Sequence, residues 1–473
     1  MFPLTKIAPG KVLPLATVLL AACGGASTGP APVDRKLTAA QASSGSYISW
    51  HEHLVDDAEL SGGLPLRGGS ALATSDFDKD GLTDLLSVYQ ASSHIRVAFG
   101  SDRPGEWFRL SLAEGPESQS VADVAVGDLN GDGFPDLIAA CEGHLLYLQN
   151  PGGRTANQTV RGWRWDRAMP LVTRGRNFFR VILADFSGGG RLEVVAIERD
   201  SDEAGTAISL FAASPDPLDP EGWSEHALAR TSGPADAKIA DLDGDGDLDV
   251  FVMSSGGDGP FWLENPGQPG GAFERHAINT SPAEGNTDHQ PVEGLLLGLH
   301  DLNGDGRVDA VVGDSASGLA WLEQPENATA PWSRHRIGAL GPDVLAGFAV
   351  ADINADGLPD VMTGGSSRLA GEEESGEARL TEPAGRLAWF ENPGPAGSDW
   401  KRHDIRRVRR GRFVAFIPVD MDADGDLDFV ATRGHSGEYD GLLWLEQRHS
   451  EAPVRIFLPA RESESAALPL PPE

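Results

Sequence analysis

A nine-residue acidic motif recurs seven times along the chain and constrains its fold more than any other feature. Successive copies begin 51 to 68 residues apart. The copies read DFDKDGLTD from Asp76, DLNGDGFPD from Asp128, DFSGGGRLE from Asp185, DLDGDGDLD from Asp241, DLNGDGRVD from Asp301, DINADGLPD from Asp352 and DMDADGDLD from Asp420. A repeat of this length favours a ring of similar units over independent domains.

Each period also contains the apolar runs of four β-strands. One run follows the acidic motif, and a second ends in Asn-Pro or Gln-Pro, as in FWLENP over 261–266. A third has an aromatic residue three positions before a His, as in WSRH over 332–335, and a fourth leads into the next motif. Proline ends a strand because it cannot continue the hydrogen-bonded ladder. Four strands in each of seven periods, with hardly any helical periodicity, predict an all-β fold, a seven-bladed β-propeller.

The two ends of the repeat region predict how the ring closes. Residues 47–55 carry Trp50 and His53 at the spacing of the third strand, and 454–458 end the last repeat. We expect N-terminal strands to complete the blade begun by C-terminal strands, because this closure removes open sheet edges.

The acidic motif has the ligand pattern of a calcium loop. Asp or Asn at positions 1, 3 and 5, a backbone carbonyl at position 7 and Asp at position 9 offer oxygen ligands, while Gly at position 6 permits a sharp turn. Six copies fit, and we expect about six structural Ca²⁺ ions. The predicted ligands are Asp76, Asp78, Asp80, Leu82, Asp84, Asp128, Asn130, Asp132, Phe134, Asp136, Asp241, Asp243, Asp245, Asp247, Asp249, Asp301, Asn303, Asp305, Arg307, Asp309, Asp352, Asn354, Asp356, Leu358, Asp360, Asp420, Asp422, Asp424, Asp426 and Asp428.

These motifs resemble those of the VCBS and FG-GAP-like repeat proteins. GDLNGDGFPDL, ADLDGDGDLDV and HDLNGDGRVDA, together with the Trp-Leu-Glu-Asn-Pro strand, carry the resemblance over residues 46–459. The resemblance implies a calcium-binding propeller related to the head of the integrin α-subunit. The third repeat departs from the pattern with Ser187, Gly189 and Glu193 at positions 3, 5 and 9, so calcium is not expected there.

The N-terminal residues are predicted to be a targeting segment. Lys6 and Lys11 precede an apolar run that ends in Leu-Ala-Ala-Cys at Cys23, which looks like the signal and lipobox of a bacterial lipoprotein. We therefore expect a signal peptide over 1–22, lipidation of Cys23, a flexible tether over 23–45, the propeller over 46–459 and a disordered tail over 460–473. Anchoring at the outer membrane or cell surface follows from this interpretation. The second cysteine, Cys141, lies in an apolar run and is expected in the core.

Charge excludes one class of partner. With 71 acidic and 38 basic residues the formal net charge is −33, so the chain is not expected to bind nucleic acid. The membrane, through the lipid, and an acidic glycan or a protein are the expected partners of a monomeric chain.

Residues that break the repeat are the best candidates for ligand binding. Three segments do so: 279–292, 364–386 and the last repeat, which holds the arginine run 406–412 and the loop 433–440. Arg433, His435 and Tyr439 are predicted to contact an anionic ligand. Two functions stay open, namely a surface module that recognises glycan or protein, and a carbohydrate-active enzyme of the polysaccharide lyase or sugar dehydratase type. The repeated His and Trp residues are interpreted as ladder and packing contacts, not as metal ligands or a sugar platform.

Overall fold

The computed structural model describes residues 32–103, 105–152, 160–162, 164–202, 205–268, 270–282, 295–314, 318–367, 384–394, 399–409, 411–434, 440–461 and 467–470. Within these residues the chain is nearly all β-strand, with five short 3-10 helices: Val33–Arg35, Gln90–Ser92, Gly115–Ser118, Val160–Gly162 and Leu171–Thr173. The strands form seven antiparallel sheets, and the predicted seven-bladed β-propeller is confirmed. None of the described helices is long and apolar enough to cross a membrane.

The first strand of the chain, β1 (Tyr47–Asp57), belongs to the last blade, and the other strands follow in blade order. Blade 1 holds β2 (Gly69–Ser75), β3 (Asp84–Tyr89), β4 (His94–Phe99) and β5 (Phe108–Glu114). Blade 2 holds β6 (Asp123–Gly127), β7 (Asp136–Cys141), β8 (His144–Gln149) and β9 (Asp166–Ala168). Blade 3 holds β10 (Phe178–Ala184), β11 (Glu193–Asp202), β12 (Gly205–Ala212) and β13 (Ser224–Thr231). Blade 4 holds β14 (Pro234–Ala240), β15 (Asp249–Ser254), β16 (Phe261–Glu264) and β17 (Glu274–Ala277).

Among the remaining blades, blades 5 and 7 have a fifth strand, whereas blade 6 has four. Blade 5 holds β18 (Thr280–Pro282), β19 (Leu296–His300), β20 (Asp309–Asp314), β21 (Gly318–Glu323) and β22 (Trp332–Gly338), with β18 parallel to β22 at the edge. Blade 6 holds β23 (Val344–Ala351), β24 (Asp360–Ser366), β25 (Ala384–Glu391) and β26 (Lys401–Arg409). Blade 7 holds β27 (Arg412–Val419), β28 (Asp428–Gly434), β29 (Gly441–Ser450), β1 and β30 (Phe457–Leu458).

The N- and C-terminal strands close the ring, as predicted. β1 pairs antiparallel with β29 from Tyr47 opposite Ser450 to Asp57 opposite Gly441, and parallel with the short β30. The innermost strand of each blade contacts the innermost strand of the next blade. The strands that surround the central channel are therefore β2, β6, β10, β14, β19, β23 and β27.

The core lies between the blades and not at the centre of the ring. One cluster joins Phe77 of blade 1 to Trp165 of blade 2, and another joins Phe251 of blade 4 to Trp332 of blade 5. Cys141 is fully buried in the first cluster, as expected, and burial raises the pKa of its thiol to about 12. Each sheet therefore buries both faces against its neighbours, which explains why apolar residues run continuously along the second and third strands.

In the part of the chain that the structure describes, two terminal segments contact the propeller, although the sequence predicts a flexible tether and a disordered tail. Residues 32–45, predicted as part of a tether, pack on the last blades: Ala40 and Ala42 are buried, and the Thr38 amide donates to the Val454 carbonyl. In the tail, the Arg461 guanidinium lies 2.7 Å from Asp57, and the Leu468 amide donates to the Arg407 carbonyl. Small and polar residues offered no apolar periodicity, yet backbone groups and alanines suffice for this docking.

Candidate functional site

All seven acidic loops lie at the same end of the blades. Each loop joins the innermost strand of its blade to the second strand, and the first residue of the second strand is position 9 of the motif. In every loop the position-1 carboxylate accepts a hydrogen bond from the position-6 glycine amide, as Asp76 does from Gly81. These glycines have φ between 78° and 98°, a conformation that few other residues adopt. We call this end of the propeller the acidic end.

Predicted calcium ligands converge in these loops. Carboxylate oxygens of positions 1, 3 and 9 lie within 4.8 Å of one another in three blades, at Asp76, Asp78 and Asp84, at Asp241, Asp243 and Asp249, and at Asp420, Asp422 and Asp428. Position 3 is Asn in the other three intact loops, where its side-chain amide donates to the position-5 Asp at 3.0 Å. Its side-chain oxygen accepts a hydrogen bond from the position-5 backbone amide at 2.9 to 3.0 Å. An all-oxygen donor set of this kind suits a hard cation such as Ca²⁺.

The electrostatics of the loops also suit a cation. The position-9 aspartates are buried, and burial together with nearby carboxylates raises their pKa, to about 6 for Asp136, about 7 for Asp84, Asp249 and Asp309, and about 8 for Asp360 and Asp428. Backbone amides partly oppose this rise; Asp84, for example, accepts from Phe77 and Gly100. Crowded carboxylates with raised pKa values are the arrangement that a bound divalent ion would relieve.

Two loops differ from this arrangement. In the first loop the Arg161 guanidinium, from blade 2, lies 2.5 Å from Asp78 and 2.7 Å from Asp80, so an organic cation already rests against two predicted ligands. In the third loop, Glu193 at position 9 accepts from the Ser187 amide, and Gly189 supplies no side chain. The third loop thus keeps the turn but loses two of its acidic ligands.

The Asn and Gln residues that end the third strands connect neighbouring blades, which the sequence analysis missed. In five blades the side-chain amide donates to the position-2 carbonyl of the preceding blade's acidic loop. The pairs are Asn150 to Phe77, Asn265 to Phe186, Gln324 to Leu242, Asn392 to Leu302 and Gln447 to Ile353, at 2.6 to 3.0 Å. We call these contacts amide clamps. Their signal was an Asn or Gln that recurs at one position after the apolar run of the third strand, followed by proline in four of the five blades, which strand termination alone does not require.

The repeated histidines form ladder contacts, as predicted. In blades 4 to 7 a His ring stacks on the Trp directly across the ladder, with ring centroids 4.2 to 4.6 Å apart. Its Nε2 lies 2.7 to 2.8 Å from a Glu on the same strand as the Trp. The sets are Trp262, His276 and Glu264; Trp321, His335 and Glu323; Trp389, His403 and Glu391; and Trp444, His53 and Glu446.

Three arginines of the last repeat, Arg406, Arg407 and Arg433, are internal, which differs from the predicted anion clamp. Arg433 is 2% exposed and lies 4.0 Å from Glu52, which also receives Arg406 at 2.9 Å. Asp343 pairs with Arg407 at 2.8 Å. Arg433 is unsuited to contact a ligand at the surface because its guanidinium lies beside buried Glu52. The sequence could not reveal this because Glu52 and Arg406 are 354 residues apart. The predicted positions His435, Tyr439 and Cys23 lie outside the described residues.

The segments that break the repeat connect strands at the other end of the blades. Residues 367–383 lie between β24 and β25, 435–440 between β28 and β29, and 283–295 between β18 and β19. Because strands of a blade alternate in direction, these connections leave from the end opposite the acidic loops. We call this end the insert end.

Comparison with known proteins supports the repeat assignment. The family model described as the FG-GAP-like repeat matches residues 76–139 and 301–363. No curated protein sequence matches the chain significantly. Among solved structures, the chain is similar to an Agrocybe aegerita lectin described as recognising non-reducing terminal N-acetylglucosamine, with 16% identity over 76% of this chain and 89% of the lectin and a TM-score of 0.45.

Two further solved structures have the same overall similarity. Sqt1 of Saccharomyces cerevisiae is 10% identical, with 85% of this chain and 99% of Sqt1 covered and a TM-score of 0.45. BBS1N, solved in complex with ARL6DN, is 12% identical, with 82% of this chain and 96% of that chain covered and a TM-score of 0.46. The family model thus matches two stretches that contain the acidic motifs beginning at Asp76, Asp128, Asp301 and Asp352, and the seven blades of the structure agree with a β-propeller built from FG-GAP-like repeats.

Proposed function

We propose that this protein is a calcium-stabilised recognition module that is exported, anchored through a lipid on Cys23, and binds a glycan or a protein at the cell surface. The carrying observation is the separation of its two ends. Six of the seven acidic loops keep one pattern at one end of the blades, and the three long segments that break the repeat connect strands at the other end. A constant end serves the scaffold and a variable end serves recognition, because binding residues concentrate on loops that a rigid scaffold positions.

Calcium would be held by the side chains of positions 1, 3, 5 and 9 of six loops and by the position-7 carbonyls. Its contribution is charge neutralisation, since several carboxylates share each loop. Position 9 begins the second strand and also accepts the amide of the residue that follows the third strand, as Asp360 does from Asn392. An ion bound there would stabilise three segments of one blade together.

The ligand need not be anionic. Three of the arginines that suggested an acidic glycan, Arg406, Arg407 and Arg433, lie beside buried Glu52 or Asp343. This leaves the insert end as the proposed binding surface, without a requirement for a carboxylated or sulfated ligand.

The test compares the two ends directly. The parent protein, without its lipid and saturated with calcium, is screened for retention on neutral and acidic polysaccharides and on surface proteins. One variant replaces residues 368–383 by a short Gly-Ser turn, which β24 and β25 can accept because Ser366 already pairs with Gly385. The matched control changes the exposed acidic-end residues Glu221 and Gln268 to Ala.

We expect the turn variant to lose retention and the control to keep it, with equal calcium content in both. Loss in the control alone would place recognition at the acidic end and overturn the proposal. New unsaturated sugar products in the polysaccharide screen would instead identify an enzyme.

The lipid anchor is tested separately by Cys23→Ser, which is expected to move the protein from the membrane to the soluble fraction without unfolding it. Continued membrane retention of the variant would contradict the lipid anchor.

A further inference from the structure

Blade 7 carries a second histidine where the other blades with a stacked His do not. The ladder places His51 opposite Glu446 and His53 opposite Trp444, so both histidines lie on the face of β1 that carries the stack. His51 Nδ1 lies 3.1 Å and His53 Nε2 lies 2.7 Å from the same Glu446 Oε2. The two imidazole rings are 4.2 Å apart.

Blades 4, 5 and 6 provide an internal comparison. The residue opposite the Glu, where blade 7 has His51, is Glu274 in blade 4, Ser333 in blade 5 and Lys401 in blade 6. In blade 6 the Lys401 ammonium lies 3.3 Å from Glu391 and supplies the positive charge beside that carboxylate. In blade 7 two imidazole nitrogens take that place, and nitrogen ligands beside a carboxylate oxygen are typical of a transition-metal site.

We propose that His51, His53 and Glu446 bind a divalent transition metal ion, with Zn²⁺ as the probe. Zinc accepts two His nitrogens and one carboxylate oxygen at about 2.0 to 2.2 Å and completes a tetrahedron with water. Ligand atoms of such a tetrahedron are about 3.3 Å apart, so the two imidazoles must withdraw from Glu446 by less than about 1 Å. Each neutral ring then keeps its proton on the nitrogen that faces away from the ion.

Access and charge fit this assignment. The side chains of His51, His53 and Glu446 are 30%, 25% and 18% exposed, so solvent reaches the fourth position. Arg448 contacts the other oxygen, with its Nε 3.4 Å from Glu446 Oε1, and leaves Oε2 to the imidazoles. This cluster differs from the acidic loops because two of its three ligands are nitrogens, which Ca²⁺ does not favour.

The ion would join the two ends of the chain. Both histidines belong to the N-terminal strand β1, whereas Glu446 belongs to the C-terminal strand β29, and 393 residues separate His53 from Glu446. A metal held by all three would add coordinate bonds to the seam that closes the ring.

The test is a zinc titration of the whole protein in excess calcium, so that the acidic loops are filled, followed by calorimetry and thermal unfolding. We expect one Zn²⁺ per chain and a melting temperature that rises with zinc. His51→Ala should weaken zinc binding by about tenfold or more, since even loss of a supporting contact has this effect. It should change the zinc-free melting temperature little, because His51 stacks on no Trp and Glu446 keeps its contact with His53.

Two matched variants decide the assignment. His335→Ala removes a stacked His with no second His beside it, and His276→Ala removes the His of the Glu264, Glu274 and His276 group; both should retain the tight zinc site. Cobalt should give tetrahedral visible absorption in the parent and lose it in His51→Ala. The proposal is overturned if His51→Ala binds zinc as tightly as the parent, if His276→Ala abolishes the site, or if the parent shows no stoichiometric zinc.

Discussion

Blade 3 and blade 6 are both four-stranded, but they differ in three features: the acidic loop, the amide clamp and the His–Trp stack. Blade 6 has an intact loop from Asp352 to Asp360, the amide clamp of Asn392 and the stack of His403 on Trp389. Blade 3 has Ser187, Gly189 and Glu193 in its loop, and Ala213 and Ala212 where Asn392 and Glu391 stand in blade 6. The residue across the ladder from His226 is Leu210, whereas the residue across from His403 in blade 6 is Trp389. Blade 3 still forms a complete four-stranded sheet, so a blade can form without the intact loop, the clamp and the stack.

Blade 1 separates the three features further. It keeps the acidic loop from Asp76 to Asp84, but Gly100 follows its third strand where a clamp residue stands elsewhere, and Val97 occupies the Trp position. The acidic loop therefore persists without the clamp and the stack. We infer that the loop is the primary element and that clamp and stack reinforce the joints between loop, blade and neighbour.

The broadest way to test this comparison is to remove calcium from every loop at once. Chelation should lower the melting temperature on the order of 20 °C, because six ions bound at about 100 times their Kd each contribute about 2.7 kcal/mol. Calorimetry with metal analysis measures both quantities, and about six calcium ions per chain are expected before chelation. An unchanged melting temperature in excess chelator would show that calcium does not stabilise the fold.

A single carboxylate distinguishes the loops of blades 6 and 3. Asp360→Asn should lower the calcium content by one ion and destabilise the protein by about 2.7 kcal/mol, the contribution of one ion at about 100 times its Kd. Glu193→Gln in blade 3 should leave the calcium content unchanged. Metal analysis of the two purified variants is the measurement, and an equal loss in both would mean that blade 3 also binds calcium.

The amide clamp is tested by Asn392→Ala. The substitution leaves the buried carbonyls of Leu302 and Pro359 without their donor, which should cost about 1 to 3 kcal/mol. Denaturant unfolding at saturating calcium measures the loss. The reverse change in blade 3, Ala213→Asn, serves as the control, and it should not destabilise. If Asn392→Ala is as stable as the parent, the amide clamp does not stabilise the contact between blades, and Asn392 only ends its strand.

The stack predicts the smallest effect, a dependence on pH. Burial lowers the pKa of His403 below 6.5, and the Glu391 contact, Lys401 and Asp404 modify this shift. The folded state thus prefers neutral His403, so its contribution to stability is complete above pH 6.5 and is lost as the pH falls through the lower folded pKa. His403→Gln should reduce the fall in melting temperature between pH 7.5 and 5.5, which thermal unfolding at a series of pH values measures. Identical pH profiles for parent and His403→Gln would show that the stack does not titrate in this range.

The parts of the fold that repeat could be predicted from the sequence, whereas the contacts between distant parts could not. The seven acidic motifs sufficed for the number of blades, because each motif begins the second strand of one blade. The predicted ladder role of the histidines was correct, but their Glu partners were not recognised. The amide clamp escaped because Asn265 and Phe186 are 79 residues apart and nothing local links them.

Composition misled where packing relies on small groups or on single buried charges. Residues 32–45 looked like a tether, yet Ala40 and Ala42 fill space beside Ile48 and Trp50. Arg433 was predicted to be a surface cation because it begins the loop 433–440, which breaks the repeat, but it lies beside buried Glu52. Burial of a charge depends on its partner, and partners that come from opposite ends of the sequence leave no local pattern.

The pairing of β1 with β29 determines the order in which the protein can fold during synthesis. The strand Tyr47–Asp57 is made first among the strands, yet its ladder partner Gly441–Ser450 is made nearly last. Until then one strand of blade 7 is unpaired and the nascent ring stays open, however well the middle blades have folded. Closure of so long a segment is entropically costly and slow compared with pairing within a blade. A chain that stops before residue 441 therefore has six complete sheets but no closed ring.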